Sequence, residues 1–328
     1  MRAALVPIAV ALLLPAWAAA ASASAPAECI VPSKPGGAMD LTCKLAQKGL
    51  LDYAPAAKKG AAPAMRLTYM PGGIGAVAWH TMVSQRAAEG DTLVAFSGGS
   101  LLNLAQGKFG KASYSDVRWV AALGADYGMI AVRADSQYKT LADLLAALKR
   151  DPQKVLIGVS GTIGSQDWLK MALLARLAGV EPRQLRFVAL EGGGEEFTAM
   201  HADYVQVISG DTSEATLYAD PARVRVLAVL AGQRLPGVLS KVPTAREQGY
   251  DLVWPIIRGV MMGPGVSDAD YRRWVRAFDE MQAAPGYAQL RSEAGMYPFS
   301  LTGAALTLYI NKAVADYKRQ AGQFNLVR

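Results

Sequence analysis

Short apolar runs alternate with helix-period patterns over nearly the whole chain, and that alternation limits the fold more than any other feature. Strand-like runs occupy Glu28–Pro32, Arg66–Tyr69, Thr92–Phe96, Val117–Leu123, Met129–Arg133, Val155–Val159, Leu185–Ala189, Val205–Ile208, Val224–Leu230 and Gly259–Met262. Helical patterns fall between them at Leu41–Leu50, Gly75–Arg86, Leu141–Lys149, Gln166–Leu177, Glu195–Met200, Thr212–Tyr218, Ala269–Ala283 and Gly303–Gln323. Parallel strands need a crossover between them, and a helix supplies it. The expected class is therefore α/β with mixed, mainly parallel sheets. Some helices carry start signals: Thr140 precedes Leu141-Ala142-Asp143, and Thr302 precedes Leu306, Leu308 and Ile310.

The first residues have a different logic. Arg2 is followed by an apolar core, Leu5–Leu14, and a run of small residues, Ala16–Ala25, which is the order of a cleaved secretory leader over residues 1–25. That core is shorter than the ~20 residues that span a bilayer. The expected location is the periplasm. About 300 residues follow, too many for one ordinary core, so two lobes are expected. Crossings near Leu123–Gly128 and Ala231–Gly237 give a discontinuous first lobe, 26–123 with 233–328, and a second lobe, 124–232. A hydrophobic content of 52% with 19% charged residues fits a globular chain without a disordered tail. The formal net charge of +7 drops by one with Arg2. The remaining basic residues are scattered, and the densest group, Arg272, Arg273 and Arg276, reads as a solvated helix face; no nucleic-acid module is visible.

Gly-rich turns follow strands and precede helices at Lys34–Asp40, Pro71–Gly75, Ser97–Ser100, Ser160–Ser165 and Glu191–Glu196. In open α/β sheets those strand ends face the binding crevice. The first turn lies between the two cysteines of the chain, Cys29 and Cys43. In an oxidising compartment such a pair becomes a disulfide, worth about 3 kcal/mol for a loop this short. An ordinary turn with two buried thiols is the alternative.

Catalysis finds little support. His80 and His201 each sit in helical patterns among apolar residues, and both read as structural or surface histidines. Gly158-Val159-Ser160-Gly161-Thr162 fails the nucleophile-elbow pattern at its last position, Glu195 and Glu196 point apart on a helix start, and no cluster has metal-ligand spacing. Gly73-Ile74-Gly75-Ala76-Val77-Ala78 matches the dinucleotide fingerprint, but the acidic residue expected after the next strand is missing. An exported dinucleotide-dependent enzyme is thus a rival reading, and no cofactor is the expectation. Non-covalent anion capture survives. Ser160, Gly161, Thr162, Gly164 and Ser165 offer hydroxyls and N–H groups at a helix start, and Gly37, Ala38 and Met39 would face them from the other lobe.

In order and spacing, Pro35-Gly36-Gly37-Ala38-Met39-Asp40, Pro71-Gly72-Gly73-Ile74-Gly75, Glu89-Gly90-Asp91-Thr92-Leu93, Ser160-Gly161-Thr162-Ile163-Gly164-Ser165, Glu191-Gly192-Gly193 and Val242-Pro243-Thr244 with Glu247, Gly249 and Tyr250 resemble the periplasmic solute receptors of tripartite tricarboxylate transporters. The resemblance spans nearly all of the chain beyond the leader. It implies a two-lobed Venus-flytrap receptor of the type II periplasmic-binding-protein class, no enzyme, that takes a small di- or tricarboxylate to a membrane permease. The cysteine pair and Lys34 are similar to the citrate-type branch. Carried over, ligand contact falls on Gly37, Ala38, Met39 and Asp40, with Ser160, Thr162, Gly164, Ser165 and Gln166 across the cleft. Ser97, Gly193 and Asp211, at further strand ends and turns, complete the expected set. A monomer is expected, and a carboxylate sensor feeding a membrane kinase is the second rival reading.

Overall fold

Four buried residues, Glu28–Val31, form β1, and the chain turns through Pro35-Gly36-Gly37 into helix α1 (Ala38–Tyr53). The structure, a computed structural model, describes residues 26–54, 65–218 and 220–327. The expected leader lies outside the described residues. After α1 come β2 (Arg66–Tyr69), α2 (Ala76–His80, continued by a π-turn over Thr81–Gln85), β3 (Thr92–Ser97), α3 (Gly98–Ala105) and β4 (Arg118–Arg133). Next are α4 (Leu141–Arg150), β5 (Leu156–Ser160), α5 (Gln166–Leu177), β6 (Arg186–Leu190), α6 (Gly193–His201), β7 (Val207–Asp211), α7 (Thr212–Tyr218) and β8 (Val224–Val229). The chain closes with β9 (Pro255–Met262), α8 (Asp268–Ala283), α9 (Tyr287–Glu293), β10 (Leu301–Thr302) and α10 (Gly303–Gly322).

The strands follow the order β2-β1-β3-β9-β4-β7-β5-β6, and β8 and β10 also pair with β4. Pairing is parallel for β1 with β2 and β3 and for β5 with β6 and β7; it is antiparallel wherever β4 or β9 takes part. β4 is the spine. Its first part, Arg118–Tyr127, pairs with β9, and its second, Gly128–Arg133, with β7 and β8. The sequence suggests two strands here, broken near Leu123–Gly128. The strand instead runs on through Gly124 and Gly128, because neighbours press on these positions: a side chain at Gly128 would meet Lys170 and Leu230 within 2.9 Å.

Each part of the sheet carries a core on both faces, which makes two lobes of three layers. In the first lobe, Leu45, Val120, Phe278 and Met281 fill one face and Trp79, Phe96, Trp119 and Ile310 the other. In the second, Ile130, Leu144, Ile157 and Leu169 lie on one side and Met129, Phe197, Ile208 and Val229 on the other. Leu235 and Leu239 share the core of Phe197, and Ala245, Leu252 and Trp254 share that of Ile130. The C-terminal end also reaches the second lobe, where Phe324 meets Trp168 edge-on at 5.7 Å and the Arg176 guanidinium stacks over Phe324 at 3.9 Å.

Cys29 and Cys43 are joined, with their Cα atoms 5.7 Å apart, and tie β1 to the second turn of α1. Both are buried, so the bond holds the Pro-Gly-Gly turn against the core. Replacing both cysteines with alanine is expected to lower stability by about 3 kcal/mol in urea unfolding. An unchanged midpoint would mean that packing alone fixes the turn.

Candidate functional site

The start of α1 is open by design. Its N-cap, Gly37, supplies no side-chain acceptor, so the first N–H groups of the helix need partners from elsewhere. Gly36 turns the chain with φ at +88°, a conformation other residues rarely adopt, and Tyr218 on α7 donates its hydroxyl to the Gly36 carbonyl at 2.7 Å. The Gly36 N–H is taken by Asp40 Oδ2 at 2.8 Å. The Ala38 N–H goes across to the second lobe and donates to Glu214 Oε1 at 3.0 Å.

Opposite, β5 ends at Ser160 and turns at Gly161, where φ is +85°. Ser165 caps α5, its hydroxyl accepting from Trp168 N at 3.3 Å, and Gln166 begins the helix. A cleft with a cavity volume of about 100 Å³ separates the two helix starts. Gly37, Ala38 and Met39 line it from α1, and Ser97, Gly99, Ser100 and Asn103 from the start of α3. Ser160, Gly161, Ser165 and Gln166 line it from the β5–α5 turn, with Asp211, Glu214 and Arg258 beyond them. Both rims are bridged: Lys34 Nζ pairs with Glu195 Oε1 at 3.1 Å, and Gln106 donates to the Gly164 carbonyl at 2.7 Å.

Not every expected residue reaches this cleft. Asp40 is fully buried and turned back onto its own loop, where Lys44 Nζ lies 2.7 Å away and the Tyr69 hydroxyl donates at 2.9 Å. It braces the turn from behind. Thr162 points outward and is exposed, and Gly164 works at the rim through its carbonyl. Gly193 is not in the lining; its Cα lies against the Glu214 carboxyl, which a side chain there would strike at 2.1–2.3 Å. The stretch that resembles a dinucleotide fingerprint serves as wall: Ile74 lines the cleft, and its carbonyl accepts from Asn103 Nδ2 at 3.2 Å. Neither histidine lines it.

Beneath the cleft lies a buried ionic cluster that the sequence reading did not identify. Arg258 on β9 pairs with Asp126 Oδ2 at 2.9 Å and, at closer range, with Asp211. Lys170 on α5 lies 2.6 Å from Asp167 and 2.7 Å from Asp211. The Asp167 contact is ionic without hydrogen-bond geometry, since its Oδ1 has no hydrogen-bond partner. Asp126 also accepts from the Thr212 hydroxyl at 2.7 Å, the Ser213 hydroxyl at 2.6 Å and the Ser213 N–H at 3.0 Å.

Two cations cannot neutralise the five carboxyls gathered here: Asp126, Asp167, Asp211, Glu196 and Glu214. Burial opposes the charge on Asp211, but Lys170 and Arg258 outweigh it and hold its pKa below the usual range. Burial also opposes the charge on Arg258, which Asp211 and Asp126 more than offset. Asp167 is pushed up to about 6, mainly by burial against the pull of Lys170. Burial, Asp211 and Asp167 push Glu214 up to about 8, and burial, Asp167 and Glu214 raise Glu196 well above an ordinary glutamate. At neutral pH, Glu214 therefore presents a neutral carboxyl to the cleft.

Among the described residues no group of three His, Cys, Asp or Glu side chains has metal-holding geometry, and no helix is long and apolar enough to cross a membrane. The sequence profile of the tripartite tricarboxylate transporter family receptors matches residues 64–326. A curated relative, the UPF0065 protein in the gbd 5' region of Cupriavidus necator, is 25% identical over 208 residues, 61% of this chain. The chain spans about three-fifths of that relative's length, 62%. Three solved structures share the fold at lower identity. The periplasmic binding protein BugD has a TM-score of 0.81 at 16% identity, covering 93% of this chain and 99% of its own. MatC from Rhodopseudomonas palustris, with bound malate, has a TM-score of 0.76 at 18% identity, covering 90% and 99%. A TctC solute binding protein from Polaromonas has a TM-score of 0.61 at 22% identity, covering 92% and 99%. The matched family is one of receptors rather than enzymes, against the dinucleotide-enzyme reading, and the fold shared with BugD and the Polaromonas solute binding protein bears out the two-lobed Venus-flytrap expectation. The match over residues 64–326 places the chain in the tripartite tricarboxylate transporter family of receptors.

Proposed function

We propose that this chain is a periplasmic receptor that captures a small di- or tricarboxylate, citrate-like in kind, between its lobes and hands it to a permease of the tripartite tricarboxylate type. The observation that carries the reading is the pair of helix starts, α1 at Gly37–Met39 and α5 at Ser165–Gln166, lining one cleft. Helix starts present N–H donors and a partial positive charge, which suits carboxylates without a dedicated cation. MatC holds malate, and an R. palustris relative of TM-score 0.79 holds adipate; both ligands are dicarboxylates, which supports the reading. In this reading residues 1–25 are removed on export, and the receptor acts as a monomer. The second lobe runs from about Tyr127 to Trp254, between the division of β4 and the start of β9, and the remainder forms the first.

Thermal unfolding against a panel of carboxylates, citrate first, tests the proposal. A bound ligand at a hundredfold excess over its Kd should stabilise the fold by about 2.7 kcal/mol and be recovered chemically unchanged. Indifference to every carboxylate, or turnover of one, would defeat it.

A further inference from the structure

The cleft holds acceptors that no described residue satisfies. Asn103 on α3 and Gln166 on α5 are 6% and 9% exposed, and both line the cavity. Their amides are oriented by their nitrogens: Asn103 Nδ2 donates to the Ile74 carbonyl, and Gln166 Nε2 to Asp211 Oδ2 at 3.0 Å. Asn103 Oδ1 and Gln166 Oε1 are thereby left buried without a hydrogen-bond partner among the described residues. The two groups are neighbours. The Gln166 amide lies against Gly99, 3.1 Å from where a side chain would begin, and Gly99 and Asn103 sit one turn apart on the same face of α3. A buried acceptor left unpaired costs about 1–3 kcal/mol, so such sites are built to be filled.

A carboxylate cannot fill them, because it too brings only acceptors. The buried cations do not change this, since Arg258 and Lys170 are each shared between two carboxylates. We propose that Asn103 and Gln166 read a hydrogen-bond donor on the ligand, so that the receptor selects carboxylates bearing a hydroxyl or amino group over their unsubstituted parents. The inference rests on the carboxylate reading and sharpens it: the helix starts hold the carboxylate, and the two amide oxygens receive the O–H or N–H beside it. A site built to accept a donor discriminates strongly against the analogue that lacks it.

Titration calorimetry with matched ligands decides the matter on the unmodified protein. Succinate, malate and aspartate differ in one substituent, as do tricarballylate and citrate. The hydroxyl- or amino-bearing member of a series should bind at least tenfold more tightly than its parent, and the stronger of malate and aspartate identifies the donor. Asn103→Leu, with folding checked by circular dichroism, should bring the ratio toward one by weakening the substituted ligand while sparing the parent. Equal binding of parent and substituted ligands overturns this inference and leaves the carboxylate reading standing; a ratio unmoved by Asn103→Leu and by Gln166→Met overturns the assignment of the donor site to these residues. Failure of all five ligands to bind removes both.

Discussion

Replacing Arg258 with methionine should cost about 3–5 kcal/mol of stability, the largest loss expected from any single change outside the hydrophobic core. The guanidinium is 2% exposed and lies between Asp126 and Asp211, the carboxylate that it shares with Lys170. Methionine fills a similar volume, so packing changes little, but two carboxyls lose a cation that they share. Asp126 keeps four donors, from Tyr127, Thr212 and Ser213, while Asp211 keeps Lys170 and the Gln166 amide. Neither set of donors replaces a full positive charge where the side chains are almost wholly buried. Urea unfolding followed by circular dichroism measures the loss. Asp211→Asn in the Arg258→Met background should recover part of it, because the uncompensated charge is then removed. A loss under about 1 kcal/mol would mean that the cluster is hydrated and the charge is carried by solvent.

The members of this cluster lie far apart along the chain, which is why it is not legible in the sequence. Local features were legible: Pro35-Gly36-Gly37 after a buried strand announced the α1 start, and Ser97 and Ser160 at strand ends and Ser165 at a helix start do line the cleft. Orientation was not legible. Asp40 belongs to the right turn, yet three neighbours draw its carboxyl away from the cleft: the Gly36 N–H, Lys44 and Tyr69. Thr162 is exposed on a turn whose Ser160 and Gly161 line the cleft, and Gly164 is buried with its carbonyl on Gln106. Arg258 and Asp126 are 132 residues apart, and no local pattern joins them. Two signals were nonetheless present. Arg258 is a lone charge inside the apolar run Ile256–Met262, which calls for a buried partner. Asp211-Thr212-Ser213-Glu214 has capping-box spacing, and one half of the box forms, with Glu214 accepting from the Asp211 N–H at 3.2 Å. The same charge inside β9 made that strand look shorter than it is, and the brief α9 has too few turns to show a period.

Stability should fall as pH rises from about 4.5 to 8, and Glu214 should supply roughly one proton's share of that slope. Its carboxyl ordinarily titrates at 4.5 and is pushed up to about 8 in the folded chain. Below the lower value both states are protonated, and the contribution is fully present. Between the two values the unfolded chain has released its proton while the folded chain holds it, so the folded state binds more protons and stability declines with pH. The slope approaches ~1.4 kcal/mol per pH unit for one group and ends once the folded carboxyl ionises. Asp167 adds the same sign from its ordinary value of 3.8 up to about 6, so the interval from pH 6.5 to 8 isolates Glu214 and Glu196. His201, whose pKa is lowered by burial and by Arg223 and Arg133, acts with the opposite sign but only below its ordinary 6.5. Urea midpoints measured at intervals across pH 6.5–8 should therefore drop for the native sequence and drop less for Glu214→Gln. The substitution also sets an amide beside the Asp211 N–H, which shifts all midpoints together and leaves the difference in slope as the readout. Equal slopes would show that Glu214 is ionised throughout, with its charge fully met by the Ala38 N–H and Arg258. A falling slope that Glu214→Gln flattens means instead that the helix start of α1 faces a neutral carboxyl at pH 7, and a ligand carboxylate can approach it without meeting a second negative charge.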